Sequence, residues 1–345
     1  MDAIETLKQL IATQSFSREE SDTADILQTV FETAGVPQER LLNNVWATHE
    51  SDHNLPYILL CSHHDTVKPN SAYTRNPLEA TIENGKLFGL GSNDAGGALV
   101  SLLQTFLTLK NEKLPYNLIF AGVAEEEISG SNGVTAILPK LPKIHLGIIG
   151  EPTEGKAAIA EKGLVVIDGM ASGTPGHAAH HQGDHAILMA GRDIEKISKH
   201  EFAKVSPLLG PCKATVSQIQ AGQQHNQVPA SCEFVIDVRV NEMYRNDEVV
   251  VELQSLCESE LIARSLRLQS SYLPSDHSFY HLLSSKNISM YGSPTLSDQA
   301  LLPFHTVKIG PGKSERSHSA DEFIFVEEIE KGIALYLDLL RNYKT

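Results

Sequence analysis

Three short apolar runs in this chain end alike. YILLC (57–61) leads into Ser62-His63-His64-Asp65, YNLIFAGVA (116–124) into Glu125-Glu126-Glu127, and HLGIIG (145–150) into Glu151. Uninterrupted apolar runs of this length read as strands buried on both faces. Between the first two lies LVSLLQTFLTLK (99–110), an apolar helix. Strands alternating with helices predict an α/β fold: a mainly parallel sheet flanked by helices. In such sheets a ligand site lies beyond the carboxyl ends of the strands. The polar residues that close these runs are therefore expected at one edge.

Two amphipathic helices precede the first run, over 3–14 and 19–35, the second stopped by Gly35-Val36-Pro37. The pattern changes near residue 160. GLVVIDGMAS (163–172), KATVSQIQAG (213–222) and CEFVIDVRV (232–240) read as strands, and 185–197 and 247–262 as helices. That order predicts a small α+β sandwich with an antiparallel sheet, inserted into the first domain. The expected division is 1–160 with 272–345 as the first domain and 161–271 as the insert. The last part supplies a strand at 306–312, His318, and a closing helix from 326 to 341.

The length of 345 residues suits two domains better than one core. With 43 acidic against 28 basic residues the net charge is -15, which argues against nucleic acid or an anionic membrane as partner. A local arginine can still bind an anionic small molecule. No apolar run approaches membrane-spanning length, and the N-terminal stretch lacks a signal-peptide core. Cys61, Cys212, Cys232 and Cys257 form no CxxC pair, so a zinc ribbon or redox motif is not supported. A reducing cytoplasm is the expected compartment.

The chemistry rests on five short runs. His63 and Asp65 sit two apart in SHHDTV, so the first can bind a metal while the second orients it. His64 could be the ligand instead; spacing does not decide. Asp94 lies in GLGSNDAGG before a helix, where a helix N-cap is the plain alternative. The same run is not a phosphate cradle of GxGxxG type and lacks a Walker lysine. Glu125, Glu126 and Glu127 repel one another unless cations compensate. One of them can bind metal while its neighbour takes a proton from water. Glu151 ends an apolar strand and needs a partner or a metal. His318, in ERSHSADE, is by itself an ordinary loop histidine. Together the set offers two histidines and several carboxylates but no sulfur, which suits one or two borderline-hard divalent ions, zinc first.

With SHHDTVKP, GLGSNDAGG, AEEEISGS, GEPT, TPGHAAH, NQVP, DVR, SPTLSDQA and GPGKSERSHSADE in this order, the chain resembles the zinc-dependent M20 metallopeptidase and amidohydrolase family. The resemblance implies a di-zinc exopeptidase-like catalytic domain carrying an inserted lid and dimerisation domain. It implies two Zn2+ per subunit, with Co2+ or Mn2+ as substitutes, bridged by Asp94. His63 and Glu151 would complete one ion, Glu127 and His318 the other. Asp65 would steer His63, and Glu126 would be the general base. His177 would stabilise the oxyanion, often across a dimer interface, and Asn226 and Arg239 would contact substrate, the arginine gripping a carboxylate. The expected reaction is hydrolysis of an N-acyl amino acid, N-acetylornithine first, within arginine biosynthesis. N-acetylcitrulline, N-succinyl-citrulline or -ornithine, succinyl-diaminopimelate and dipeptides are rival substrates. A binding protein on the same scaffold would show a missing ligand or base, and every position here is filled. Gly96 departs from the family's pattern, standing where many relatives carry lysine, and His180-His181 follow where some have a proline nearby.

Overall fold

The structure is a computed structural model that describes residues 2–345. Its chain divides into two compact units. Unit 1 takes the residues up to Ile159, Tyr272–Tyr291 and Ser297–Thr345; unit 2 takes Ala160–Ser271 and Gly292–Leu296.

In unit 1, six neighbouring strands of the main sheet run in the order Glu39–Leu41, Asn44–His49, Asn117–Val123, Tyr57–His63, Ile144–Ile149 and Thr306–Lys308. The last four are mutually parallel; Asn44–His49 is antiparallel to Asn117–Val123. All seven residues of Asn117–Val123 are buried, as are six of seven in Tyr57–His63. That two-sided burial explains why these strands read as solid apolar runs rather than alternating ones.

The covering helices include Ala3–Ala12, Ser21–Thr33, Gly97–Leu109 and Val326–Asn342. Their apolar stripes meet the sheet in one core in which Phe31 lies edge-on to Phe106 and Phe120, with centroids 6.0 and 5.8 Å away. Truncating Phe106 to Ala there would cost about 3–5 kcal/mol. Gly150 follows the strand Ile144–Ile149, and a Cβ on it would come within 2.6 Å of Leu102 Cδ1. Its missing side chain lets the strand end, and Glu151 after it, lie close against the helix Gly97–Leu109.

A smaller sheet pairs Phe323–Phe325 with Lys86–Phe88, antiparallel, and Lys86–Phe88 with Thr81–Glu83. It brings the loop before Phe323 beside the turn after Phe88, so the segments 318–322 and 89–94 share one end of unit 1. Among the described residues no helix is long and apolar enough to cross a membrane.

Unit 2 is a four-stranded antiparallel sheet in the order Lys213–Ala221, Ser231–Val240, Gly163–Ser172, Glu260–Ala263. Burial alternates strictly along Gly163–Ser172, and its inward residues join Phe234, Ile236 and Val238 under the helices Ala186–Lys199 and Asn246–Leu256. The structure differs from the sequence reading at the second helix. It ends at Leu256 instead of continuing to 262, and Glu260–Ala263 forms the fourth strand. The cause is Asp193. Its buried carboxylate accepts from the backbone of Glu258 and Ser259 and from the Ser259 hydroxyl, which holds the chain in a turn.

Candidate metal centre

Seven predicted residues of unit 1 converge at the carboxyl end of the parallel strands. His63 ends Tyr57–His63, and Asp65 follows it. Glu126 and Glu127 follow Asn117–Val123, and Glu151 follows Ile144–Ile149. Asp94 comes from the turn before Gly97–Leu109, and His318 from the loop before Phe323. The backbone places Asp94 through Gly91, whose φ is +74° and whose Cβ, if present, would lie 2.5 Å from Thr66 Cγ2. The Asp94–Ala95 peptide bond is cis.

The hydrogen bonds distinguish the two adjacent histidines. His64 Nε2 faces the Asn43 carbonyl at 2.8 Å and so donates; its Nδ1 then accepts from the Thr23 hydroxyl, also at 2.8 Å. Both ring nitrogens are occupied, and burial pushes this imidazole down to about 4, which keeps it neutral. His63 is built differently. Its Nδ1 lies 2.9 Å from the Asp65 carbonyl and must donate to it. In the neutral ring Nε2 therefore carries the lone pair. That atom is buried and has no hydrogen-bond partner among the described residues. It faces Asp94 Oδ1 at 3.3 Å, Glu151 Oε1 at 3.7 Å and Glu126 Oε2 at 3.9 Å.

On the other side, His318 Nε2 lies 2.9 Å from Glu127 Oε2 and 3.7 Å from Asp94 Oδ2. Asp94 thus presents one oxygen to each histidine. Two trios have ligand atoms within 4.8 Å of one another: His63, Asp94 and Glu127, and His63, Glu126 and Glu151. An unpartnered lone pair at the focus of four carboxylates fits a divalent cation, and the all-N/O donor set fits a borderline-hard one.

Electrostatics follow from the crowding. Burial works against the protonated form of His63, but Glu126, Asp65, Asp94 and Glu151 outweigh it and hold the ring well above its ordinary value. Burial also pushes Glu126 well up, reinforced by Glu151, Asp298 and Glu127 and opposed by His63. Glu151 rises to about 8, from burial first, with Asp94 and Glu127 adding and His63 and Lys308 opposing. His318 rises to about 9 through its hydrogen bond to Glu127. A bound cation reverses this logic by favouring ionised carboxylates and neutral imidazoles.

Asp65 has more partners than spacing suggested. Its carboxylate lies 3.4 Å from His63 Nδ1, farther than its own carbonyl does. The same carboxylate accepts from the backbone N–H of Glu126 at 3.0 Å and of Glu127 at 3.2 Å, and from the Ser17 hydroxyl at 2.7 Å. It therefore fixes the peptide that carries the two glutamates as well as facing the histidine. Glu125 leaves the cluster: φ is +55°, and its carboxylate turns to Asn132. The repulsion expected of three adjacent glutamates is relieved in this way. Ser17 gave no signal in sequence. Glu322 did not stand out beside His318, yet it is 2% exposed and accepts from three backbone N–H groups of the Asp94 turn.

The remaining predicted residues lie in unit 2. His177 is exposed on the short strand Gly176–His177, which pairs with Gln227–Val228. Asn226 precedes that partner strand, and its carbonyl accepts from Ala178 N at 3.0 Å. His177 and Asn226 are therefore neighbours. Arg239, on Ser231–Val240, directs its Nε and Nη2 to the Asp237 carboxylate at 2.8 and 3.1 Å.

Residues 59–342 match peptidase family M20/M25/M40, and the chain belongs to that family. It is a metal-dependent hydrolase of amide bonds. The chain is 27% identical to the acetylornithine deacetylase of Proteus mirabilis, covering 99% of this chain and 96% of that protein. It is 25% identical to a LysW-lysine/LysW-ornithine hydrolase of Saccharolobus solfataricus, covering 97% and 94%. Among solved structures, the Bacillus subtilis YXEP protein, described as a dinuclear metal-binding peptidase, superposes with a TM-score of 0.76. Identity to it is 15%, over 98% of this chain and 96% of that one.

Proposed function

We propose that the chain hydrolyses the amide bond of an N-acyl amino acid, with N-acetyl-L-ornithine the first choice and arginine biosynthesis the setting. The observation that carries the metal-dependent part is the His63 Nε2 atom, buried, without a hydrogen-bond partner among the described residues and faced by carboxylates. His63, Asp94 and Glu151 would hold one ion, and Asp94, Glu127 and His318 the other, zinc first and Co2+ or Mn2+ as substitutes. Bound there, such ions supply water of lowered pKa and polarise the acyl carbonyl.

The protein's own groups do the rest. Glu126 reaches the same space as the ligands, takes the proton of the attacking water, and returns it to the leaving nitrogen. Asp65 keeps His63 Nδ1 protonated and holds the Glu126 and Glu127 backbone still. His177 would donate to the developing oxyanion, from its own subunit or from a partner in a homodimer formed through the inserted domain. Asn226 would help position the substrate. Arg239 would grip its carboxylate, exchanging the bidentate pair it makes with Asp237 for one with the substrate.

Two relatives of comparable identity have ornithine in their names, which supports an ornithine product. Four free cysteines support a reducing, cytoplasmic location, and the net charge of -15 supports neither nucleic acid nor an anionic membrane as partner.

The test is free-amine release by the metal-reconstituted protein on N-acetylornithine, N-acetylcitrulline, their N-succinyl counterparts, succinyl-diaminopimelate and a dipeptide, each with a chelator control. One substrate far ahead, lost on chelation, establishes the reaction and its step. Release from the dipeptide alone would replace the deacylase reading with a peptidase one.

A further inference from the structure

His318 is followed by Ser319-Ala320-Asp321-Glu322, and the last two are acidic for separate structural reasons. Asp321 accepts from the backbone of Thr74 and Arg75, each at 2.9 Å, and so fixes one surface loop. Glu322 points inward. Its Oε1 accepts from Asn93 N at 2.8 Å and Asp94 N at 2.9 Å, and its Oε2 from Gly91 N at 3.1 Å. Its backbone carbonyl takes Gly89 N at 3.0 Å. The same turn is held from another side, where the Asn93 side-chain amide exchanges two hydrogen bonds with the Lys313 backbone, at 2.9 and 3.0 Å. Three N–H groups in a tight turn have no acceptor among themselves, and a buried carboxylate satisfies all three at once. Asp94, the residue with one oxygen toward each histidine, hangs from the last of them.

We propose that Glu322 is a positioning residue for the metal centre: by fixing the backbone of residues 91–94 it sets the direction of the Asp94 carboxylate, and through it metal affinity and turnover. This rests on the reading of the centre given under Proposed function. Glu322 touches neither substrate nor metal in this role. It also ties the two metal-facing loops together, because the carboxylate that orients Asp94 lies four residues from His318. Gln fits the same space, but its amide nitrogen turns a donor toward at least one N–H that needs an acceptor. Asp is too short to reach all three.

The experiment compares wild type with Glu322→Gln and Glu322→Ala. Zn2+ affinity is read by competition with a chromophoric chelator, the geometry by the ligand-field bands of the Co2+-loaded protein, and the turn by hydrogen exchange at the amides of Gly91, Asn93 and Asp94 in metal-free protein. Expected are weaker Zn2+ binding, roughly 10–100-fold for Ala and less for Gln, and altered Co2+ bands. Faster exchange at those three amides should accompany them, with a fall in kcat at saturating metal and little change in KM. A purely structural glutamate would lower the melting temperature but leave Zn2+ affinity and the Co2+ bands at wild-type values well below it, and that result overturns the proposal. If the Ala variant fails to fold, the Gln variant carries the test. If wild type itself binds no divalent ion, the functional reading falls, while unchanged exchange in Glu322→Gln would refute the hydrogen-bonded positioning separately.

Discussion

Both ends of the parallel sheet in unit 1 carry a histidine whose Nε2 is buried and has no hydrogen-bond partner among the described residues, and the two are chemically opposite. At the carboxyl end, His63 donates from Nδ1 to a carbonyl, so in the neutral ring the orphaned Nε2 has a lone pair. At the amino end His277 accepts at Nδ1 from Phe279 N, 3.1 Å away, as the N-cap of the helix Ser278–Ser285. Its orphaned Nε2 therefore carries a proton in the neutral ring and is no ligand. Their company differs as well. His63 faces carboxylates, whereas His277 lies between His145, which starts the strand Ile144–Ile149 with Ile144, and His305, just before Thr306–Lys308. The ring centroids are 5.6 and 5.5 Å from His277. An unpartnered imidazole nitrogen is open to a cation only where the other nitrogen donates, and at His63 carboxylates face it as well.

The largest effect that could break this contrast is chemical. Glu126→Gln should lower turnover by about 10²–10⁴-fold while metal content, measured by elemental analysis, stays at the wild-type level. Near-normal turnover would remove Glu126 from the proton path. Next comes the direct comparison of the two histidines. His63→Ala should weaken metal binding by at least about 10-fold, and His277→Ala should leave it unchanged; equal losses would mean that tautomer and company do not separate the two ends. Smaller again is Asp65→Asn. It keeps the backbone carbonyl that fixes His63 Nδ1 but puts an amide donor near the N–H groups of Glu126 and Glu127. Affinity for Zn2+ should drop less than in His63→Ala, with kcat reduced further because Glu126, the proposed base, is displaced. Titration calorimetry and initial rates would separate the two.

The carboxyl end was largely legible because burial made it so. A polar residue at the end of an apolar strand is conspicuous, and parallel topology sends such residues to one edge. Sequence left His63 and His64 unresolved, since the choice depends on Thr23 and Asn43, distant in sequence. Glu322 was hidden for a similar reason: its partners are backbone N–H groups of a turn some 230 residues away, which no spacing reveals. The early end of the helix Asn246–Leu256 was missed because Asp193, on another helix, provides the hydrogen bonds that stop it. His177, Asn226 and Arg239 are exposed or half-exposed polar residues without a strand-end signature, so only the resemblance singled them out. The histidines of the amino end gave no signal at all, being far apart in sequence and ordinary in composition.

The smallest expected effect tests the amino end by itself. Burial, with His145 and His305 adding to it and Asp276 opposing, pushes His277 below its ordinary value. A histidine whose folded pKa is depressed favours folding while it is neutral. That contribution is complete above the ordinary histidine pKa, shrinks as pH falls below it because the unfolded chain takes up the proton first, and is gone once the folded pKa is passed. Protonation at Nδ1 would also turn the helix cap from an acceptor into a donor facing the Phe279 N–H. The melting temperature of the metal-free protein should therefore decline on acidification from neutral pH. His277→Asn keeps a cap acceptor without the titration, so it should match wild type at neutral pH and decline less below it. His277→Ala loses the cap and should cost about 1 kcal/mol at neutral pH. If the Asn variant declined as steeply as wild type, the acid sensitivity would lie with other groups, and the amino-end histidines would be three rings sharing a surface and nothing more.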